Sequence, residues 1–332
     1  MLAIVMREPG GPQVLEAVEL PVPEPSGDHD LLVRLKAAGV NPVDTKLRAR
    51  GTYFPGHLPA ILGCDGAGIV ERSGPAVTRF KAGDAVYFCN GGIGKEPGCY
   101  AEYTVVDERV ACAKPDALTF EQAAAVPLGL ITAWEALFDR GRLRDGSRVL
   151  IHGGAGGVGH LAIQLARLHQ AQVATTVSSP AKAAFVRELG AHFAIDYTQQ
   201  DFVRALHNWT GGAGVNLALD TVGGEIFART LAAMAFYGDL VTLLQPGEVD
   251  WKTARTKNLR IGLELMLTPM SHGLLEARQH HAEILARGGA LFDGGKLNVH
   301  LAQCLPLTRA ADAHRLLEEG HMQGKLVLTL PP

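Results

Sequence analysis

Three glycines are the residues of this chain whose spacing most clearly suggests a chemical role. Gly154, Gly156 and Gly159 match the pattern G-x-G-x-x-G, between an apolar run that ends at Ile151 and a helical pattern that continues to Gln170. In such a turn the first glycine permits a tight bend, the second lets the backbone approach a pyrophosphate, and the third lets helix and strand pack closely. Glycine turns also occur as plain loop punctuation, but the flanking strand and helix favour a dinucleotide site. Its predicted cofactor-binding residues are Gly154, Ala155, Gly156, Gly157 and Val158.

The residues that follow the next predicted strand indicate which nicotinamide cofactor is bound. Proteins that bind NAD carry an Asp or Glu at this point, which bonds the ribose 2′-hydroxyl. This chain has Ser178 there and no carboxylate between Val173 and Arg187. The hydroxyls of Ser178 and Ser179 and the ammonium of Lys182 suit a 2′-phosphate, so we predict NADPH. Alternatively, Lys182 is a solvated residue in the first turn of the next helix.

Composition excludes several classes of protein. The 332 residues are 47% hydrophobic and 20% charged, which is typical of a globular chain long enough for two domains. Lys and Arg number 31 and Asp and Glu 34, giving a net charge of −3, so we expect neither nucleic acid nor a membrane surface as partner. Five cysteines without a C-x-x-C pair predict neither a disulfide framework nor a thiolate zinc cluster. The N-terminus reads as a first strand and not as a signal peptide, and a reducing cytoplasm is the expected location.

Residues 1 to about 120 contain short β-type runs punctuated by Pro and Gly, such as Leu31–Leu35 and Ala85–Phe88. From Thr119 onward the pattern becomes helical, and after the glycine turn strands alternate with helices. That alternation predicts an α/β fold with a doubly wound parallel sheet. We therefore expect a domain boundary near residue 120.

Several further motifs carry a family resemblance over nearly the whole chain. They are Ala38-Gly-Val-Asn-Pro-Val-Asp-Thr45, Leu62-Gly-Cys-Asp-Gly-Ala-Gly-Ile-Val70, Phe80-Lys-Ala-Gly-Asp-Ala-Val86, Tyr100-Ala-Glu-Tyr103, Gly129-Leu-Ile-Thr-Ala133 and Gly324-Lys-Leu-Val327. In their order and wording they resemble the medium-chain dehydrogenase/reductase superfamily, and most closely its zinc-free quinone oxidoreductase branch. The resemblance implies a GroES-like, mainly-β catalytic domain over residues 1–120, completed by about 295–332. It also implies a Rossmann NADPH-binding domain over residues 121–294.

The resemblance also suggests individual site residues. It implies that Asn41 lies beside the nicotinamide ring, that Thr132 lies on a helix facing the cofactor, and that Lys325 belongs to the cofactor-binding set. Lys182 falls at the position of a phosphate-binding lysine, and Tyr197 matches a tyrosine near the adenosine phosphate.

Two further residues suit the substrate end of the site. Tyr53 matches a cleft tyrosine that could stack on a flat substrate or hydrogen-bond a carbonyl. Tyr53 and Tyr197 are alternatively aromatic residues that only pack. Asp44 is expected to cap a helix starting at Thr45.

No metal site is predicted. Zinc-dependent relatives hold their metal with residues whose counterparts here are Asn41, Cys64 and Leu128. These cannot supply the three ligands and the open position that a catalytic zinc needs. Cys64 is most simply interpreted as a small buried hydrophobic residue.

Together these observations predict an NADPH-dependent, zinc-independent reductase that transfers hydride to a quinone or an α,β-unsaturated carbonyl. Asn41 and Tyr53 would act on the acceptor oxygen as its catalytic residues. An enoyl thioester reductase and a non-catalytic NADPH-binding protein are the alternatives. A homodimer is also expected, because relatives join Rossmann sheets edge to edge and the apolar run Ile261–Leu267 is available for such pairing.

Overall fold

The computed structural model describes residues 1–330, which contain sixteen β-strands and eleven α-helices. The strands are β1 (Leu2–Met6), β2 (Leu15–Glu19), β3 (Asp30–Val40), β4 (Ala60–Ile61), β5 (Asp65–Ser73), β6 (Ala85–Cys89), β7 (Tyr103–Asp107), β8 (Ala111–Ala113), β9 (Arg148–Ile151), β10 (Gln172–Val177), β11 (Phe193–Asp196), β12 (Val215–Asp220), β13 (Met234–Thr242), β14 (Arg260–Leu263), β15 (Leu301–Pro306) and β16 (Lys325–Thr329).

The helices occupy the segments between these strands. They are α1 (Pro42–Arg50), α2 (Phe120–Ala124), α3 (Pro127–Trp134), α4 (Gly159–Leu168), α5 (Pro180–Glu188), α6 (Phe202–Trp209), α7 (Gly224–Ala233), α8 (Lys252–Thr256), α9 (Thr268–Ser271), α10 (Leu275–Asp293) and α11 (Ala310–Glu319). A π-helical turn, Glu135–Arg140, continues α3. Within the part of the chain that the structure describes, no helix has both the length and the apolar character needed to cross a bilayer.

The chain forms two compact units. The central unit comprises Gly129–Met266, and the terminal unit comprises Met1–Leu128 together with Leu267 to the end of the described residues. The sequence predicted boundaries near 120 and 294, whereas these units divide at 128 and 266.

The central unit contains a six-stranded parallel sheet in the order β11-β10-β9-β12-β13-β14. Its inner strands are buried along nearly their whole length, as expected where helices cover both faces of a parallel sheet. Consecutive strands run outward in both directions from β9, which is the doubly wound arrangement that the alternating pattern predicted. The carboxyl end of β9 therefore lies at the point where the strand order reverses, and the glycine turn begins there.

The terminal unit contains a seven-stranded sheet with the path β15-β16-β3-β5-β6-β8, to which β7 is added by pairing with β3. A smaller sheet, β2-β1-β4, completes its strands. The C-terminal strand β16 pairs antiparallel with β3, with Leu326 opposite Val40. This pairing brings Lys325, the first residue of β16, next to Asn41, the residue that follows β3.

Helix α10 belongs to the terminal unit because two buried side chains of that unit's sheet bind it. Tyr87 Oη donates to the carbonyl of Leu285 (2.6 Å), and Cys112 Sγ donates to the carbonyl of Ala282 (2.9 Å). These contacts explain why the structural division falls before α10, whereas a boundary at 294 falls after it.

Strand β14 is the edge strand of the central sheet, and the apolar run Ile261–Leu267 passes along and beyond it. Leu263 and Leu265 are 68% and 52% exposed. The homodimer expected from this run stays a prediction.

Behind this edge, two carboxyl groups are buried together. Glu264 follows β14 and Glu135 begins the π-helical turn, and the residues are 5% and 7% exposed. Burial, the charge of Glu135 and a hydrogen bond with it together raise the pKa of Glu264 to about 8, although Arg140 at 3.1 Å opposes them. Glu264 therefore holds its proton at neutral pH.

We expect Glu264→Gln to stabilise the protein relative to wild type as the pH rises. A carboxyl group whose pKa is raised by folding contributes stability that is present below its unfolded value and is lost as the pH rises through the folded value. The wild type should therefore lose stability between about pH 4.5 and 8 in a way that the uncharged variant does not. Urea unfolding at pH 5, 7 and 9 measures the difference, with the exposed Glu8→Gln as control. A wild type and variant whose difference is independent of pH would contradict this assignment.

Candidate functional site

The turn after β9 in the central unit depends on two glycines for packing. A Cβ on Gly154 would lie 2.0 Å from Thr175 Oγ1, and a Cβ on Gly159 would lie 2.3 Å from the carbonyl oxygen of Gly153. Real side chains do not tolerate such distances. Gly154 therefore lets the turn after β9 pack against β10, where the pattern had predicted a tight bend, and Gly159 lets α4 start directly against the turn, the close packing predicted for the third glycine.

Gly156 differs from these two glycines. A Cβ placed on it would meet only the carbonyl oxygen of Gly153, at 3.2 Å, so the fold itself does not strictly require a glycine there. Its own N–H donates to that carbonyl (2.9 Å), which closes the turn. Helix α4 then begins after Val158 without a side-chain cap. This combination fits a pyrophosphate, because a bare backbone and the start of a helix can both face an anion.

Thr176 and His152, which no sequence motif assigned to the site, hold this turn in place. Thr176 Oγ1 accepts from the N–H of Gly153 (3.1 Å) and is hydrogen-bonded to Nδ1 of His152 (3.2 Å), whose Nε2 is hydrogen-bonded to Thr230 (2.9 Å). Burial lowers the pKa of His152 to about 4, so its ring is neutral at pH 7. No sequence motif marks Thr176, and the only indication of its role is its position on β10, the strand next to β9.

Asp220 has a similar positioning role at the end of β12. Its carboxylate is fully buried and accepts from the N–H groups of Val222 and Gly223 and from Thr242 Oγ1, all at 2.9 Å. Asp220 thereby fixes the loop that follows β12, on the same edge of the sheet as the glycine turn.

The predicted 2′-phosphate residues lie together beyond the end of β10. Lys182 Nζ donates to Ser178 Oγ (3.2 Å), and Ser179 caps α5 by accepting from the N–H of Lys182 (3.3 Å). Tyr197 follows the neighbouring strand β11, with its N–H bonded to the carbonyl of Val177 and 56% of its surface exposed. The ammonium thus contacts the hydroxyl of Ser178, and the structure places all four predicted residues just after the same two strands.

Asn41 and Lys325 form part of a buried polar cluster in the terminal unit. Lys325 Nζ donates to Asn41 Oδ1, and Asn41 Nδ2 donates to Asp65 Oδ2 (2.9 Å). The ammonium also lies 3.6 Å from that carboxylate, and the N–H of Leu128 donates to Asp65 Oδ1 (2.9 Å). Burial raises the pKa of Asp65, whereas Lys325 and these hydrogen bonds lower it. The predicted contact of Lys325 with a cofactor stays a prediction; in the structure its ammonium contacts Asn41 and Asp65.

Asp44 extends this cluster and corrects one expectation. Helix α1 begins at Pro42, three residues before the predicted start, because proline suits the first helical position and Asn41 serves as N-cap. Asp44 does cap the helix, but from its third position, by accepting from the N–H of Asn41 (2.8 Å). Tyr100 Oη, 3.3 Å from Asp44, is also hydrogen-bonded to His314. Burial raises the pKa of Asp44 to about 7.

Tyr53 and Thr132 are the remaining predicted site residues. Tyr53 lies in the loop after α1, is 44% exposed, and is anchored through its N–H to the carbonyl of Ile93 (3.1 Å). Partial burial raises the pKa of its phenol, so it remains a hydrogen-bond donor at neutral pH. Thr132 lies on α3, in the central unit, and is 6% exposed.

The residues at the expected metal position do not fit a catalytic zinc. Asn41 Oδ1 is already bound by an ammonium, and the side chain of Leu128 has no ligand atom. The thiol of Cys64 is fully buried, and a hydrogen bond with Cys89 together with burial raises its pKa well above the usual value. Across residues 1–330, no three or more His, Cys, Asp and Glu side chains group closely enough to hold a metal ion. That the protein needs no zinc stays a prediction.

Comparisons with known proteins agree with this architecture. Residues 27–116 match the family model described as alcohol dehydrogenase GroES-like domain, and residues 189–328 match the one described as zinc-binding dehydrogenase. The quinone oxidoreductase of Pseudomonas aeruginosa is 34% identical over 96% of this chain and 96% of its own length. The solved structure of Escherichia coli quinone oxidoreductase complexed with NADPH superposes with a TM-score of 0.87 at 31% identity, covering 99% of this chain and all of that one.

A different relative is much longer. Phthioceranic/hydroxyphthioceranic acid synthase of Mycobacterium tuberculosis is 33% identical over 99% of this chain, but the chain spans only 15% of that protein's length. With the full-length matches above, these findings establish that the chain belongs to the quinone oxidoreductase branch of the medium-chain dehydrogenase/reductase superfamily. The predicted fold class, a GroES-like domain with a Rossmann-type parallel sheet, is confirmed.

We expect Gly154→Ala and Gly156→Ala to differ sharply in stability. The alanine at 154 overlaps Thr175 and forces the strands apart, which should cost about 1–3 kcal/mol, whereas the alanine at 156 meets one oxygen at near-contact distance. Denaturant unfolding of the two variants measures this difference. Equal losses of stability would show that Gly156, too, is needed for packing alone.

Proposed function

We propose that this protein is an NADPH-dependent reductase that transfers hydride to a quinone or an α,β-unsaturated carbonyl. The observation that carries the proposal is the pairing of a turn with backbone room at Gly156 and a cluster of one ammonium and two hydroxyls after β10. A pyrophosphate fits the first feature and a 2′-phosphate fits the second. The NADPH complex of the related Escherichia coli enzyme supports the same cofactor.

When bound, the cofactor supplies hydride from C4 of its nicotinamide, so the protein's own residues need only bind, orient and polarise. Gly154, Ala155, Gly156, Gly157 and Val158 would hold the pyrophosphate, and Thr176 and Asp220 would keep the surrounding loops in place. Thr132 and Asn41 would orient the nicotinamide. Asn41 and Tyr53 would donate hydrogen bonds to the acceptor oxygen, where negative charge develops as hydride arrives.

The direction of reaction follows from what these residues lack. Oxidising an alcohol requires loss of its hydroxyl proton as hydride leaves, a step that zinc catalyses by acidifying the bound oxygen. Asn41, Cys64 and Leu128 do not form such a site. Reduction of a quinone or enone needs no deprotonation at the start, because the acceptor already has low-lying π orbitals and is protonated afterwards. Hydrogen bonds from an amide and a phenol are sufficient for that reaction.

An enoyl thioester is a second candidate acceptor. One observation supports this second candidate: nearly the full length of this chain matches a segment of the mycobacterial acid synthase. Thioester and quinone both present a conjugated carbonyl to hydride, so the two proposals share a cofactor site and differ in the acceptor pocket.

Lys182→Ala should weaken NADPH binding about ten- to a hundredfold and leave NADH binding nearly unchanged. The loss of one charge-assisted hydrogen bond is worth roughly 1.5–3 kcal/mol, and only NADPH carries the 2′-phosphate that makes it. Calorimetric titration with each cofactor measures the effect. Arg187→Ala is the matched control, because Arg187 is an exposed base on the same helix. Equal affinities of the wild type for NADPH and NADH would sink the cofactor assignment.

NADPH absorbance should fall when the protein is mixed with a small quinone, an enal or an enoyl thioester. It should not rise when NADP is mixed with primary or secondary alcohols, in the presence or absence of a chelator. The relative rates with the three acceptors identify the substrate class. Robust alcohol oxidation by protein free of metal would refute the reductive mechanism, and cofactor binding without turnover on any acceptor would indicate a non-catalytic NADPH-binding protein.

Tyr53→Phe should slow turnover with the preferred acceptor while NADPH affinity stays close to that of the wild type. The reason is that its phenol is assigned to the acceptor and not to the cofactor. Tyr237→Phe is the matched control, since Tyr237 is 74% exposed and lies in the central unit. An unaffected Tyr53→Phe enzyme would remove that residue from the mechanism and leave the rest of the proposal standing.

A further inference from the structure

The side-chain amide of Asn41 lies between a buried cation and a buried anion of the terminal unit. Lys325 Nζ donates to its Oδ1, and its Nδ2 donates to Asp65 Oδ2 at 2.9 Å. Asn41, Asp65 and Lys325 are 1%, 0% and 5% exposed, and Lys325 is 284 residues from Asn41 along the chain. Asn41 is also the N-cap of α1, in a capping box with Asp44 whose carboxylate accepts from the N–H of Asn41.

The two charged neighbours determine which way the amide faces. An ammonium has only donors and an ionised carboxylate has only acceptors. Reversing the amide would place its NH₂ group against the ammonium and its oxygen against the carboxylate, and both hydrogen bonds would be lost in a buried setting. The orientation of most asparagine amides is not fixed so strongly, because their neighbours can usually both donate and accept.

Asp65 has three positive or donor groups beside its carboxyl group. It accepts from Asn41 Nδ2 and from the N–H of Leu128, and the ammonium lies 3.6 Å away; burial raises its pKa, and these three groups oppose that rise. The pair of charges is therefore balanced locally. The amide between them is polarised in one direction, since the ammonium draws charge to Oδ1 and makes the Nδ2–H groups better donors.

After these two hydrogen bonds, one Nδ2–H and one lone pair of Oδ1 remain. The low exposure of Asn41 limits any ligand to a single edge of the amide. Adjacent to the ammonium, the second lone pair is a weakened acceptor, whereas the second N–H is a strengthened donor. A carbonyl oxygen that gains negative charge is the partner such a group stabilises.

We propose that Lys325 and Asp65 are positioning residues that hold Asn41 as a hydrogen-bond donor toward the oxygen of the acceptor. This inference rests on the proposed function, in which Asn41 contacts the acceptor. In this role Lys325 and Asp65 act on the acceptor through Asn41. The alternative role of the pair is structural, namely mutual neutralisation of two charges that the fold happens to bury.

A double-mutant cycle on kcat separates the two roles. Asn41→Ala and Lys325→Met should each lower kcat with a quinone about ten- to a hundredfold, and the double variant should be no slower than Asn41→Ala alone, because Lys325 acts only through the amide. KM for NADPH reports separately on the cofactor contacts predicted for Asn41 and Lys325. Lys114→Met is the control, because Lys114 is bound to the carbonyls of Pro115 and Leu118 within the same unit and should leave kcat unchanged.

Removing Lys325 alone leaves Asp65 buried without its counter-charge, so a second variant tests the proposal if the first does not fold. Lys325→Met combined with Asp65→Asn removes both charges, and we expect the melting temperature to approach that of the wild type while kcat stays low. A charge-free variant with restored stability and full kcat would overturn the proposal. The proposal would also fail if the kcat losses of Asn41→Ala and Lys325→Met multiply when the two substitutions are combined. In either case a slow Asn41→Ala enzyme would leave the proposed function intact.

Two other outcomes are distinct from these. If Asn41→Ala turns over at the wild-type rate, the assigned role of Asn41 and this inference are both wrong, while NADPH oxidation by the wild type still supports a reductase. If the wild type reduces no acceptor, the side-chain ¹H–¹⁵N signals of Asn41 still test the orientation. They should be perturbed in the charge-free double variant and unperturbed in Lys114→Met, and unchanged signals in the charge-free variant would show that the pair does not orient the amide.

Discussion

The absence of two Cβ atoms, at Gly154 and Gly159, is the constraint on which the central unit depends. The first brings β9 against β10, and the second brings the start of α4 against the carbonyl of Gly153. With strand, turn and helix this close, Thr176 can bind the turn through a single hydroxyl, and His152 can link it to α7 through Thr230. The predicted phosphate residues Ser178, Ser179 and Lys182 then follow β10, the strand against which the turn packs. The glycine pattern thus also determines where neighbouring residues other than glycine lie.

The terminal unit is organised around buried charge instead of close backbone packing. Asp44 and Asp65 are both fully buried, but their surroundings differ: Asp65 has an ammonium and two N–H donors, whereas Asp44 has one backbone N–H and one phenol. Accordingly, the pKa of Asp44 is raised to about 7, and Asp65 retains partners that favour its charged form. The two carboxyl groups, which lie near each other around the start of α1, therefore differ in the number of partners that favour their charged form.

The spacing of apolar residues predicted those strands and helices whose formation depends on neighbouring residues in the chain. The predicted β-type runs Leu31–Leu35 and Ala85–Phe88 lie within β3 and β6, and strands alternate with helices after the glycine turn as predicted. Strand β13, in contrast, contains Tyr237 with a positive φ of 59°, and the strand continues through that irregularity. No periodic pattern signals such a residue.

The site was predictable to a similar degree. Ser178, Ser179 and Lys182 lie within one turn of each other in the chain, so strand and helix geometry sufficed to group them. Asp65 was not singled out, because its partner Lys325 reaches it only when β16 pairs with β3, and the sequence motifs carry no information on that register. The same pairing makes Asn41 an internally bonded residue, which its place in a short loop before a helix does not indicate.

The pairing of β16 with β3 also imposes an order on biosynthesis. A ribosome completes Gly129–Met266 as one continuous segment, whereas the terminal unit combines residues from both sides of that segment. Until Lys325 is synthesised, part of β3 has an open edge and the carboxylate of Asp65 has no ammonium beside it. We therefore expect the Rossmann unit to fold during synthesis before the seven-stranded sheet is complete.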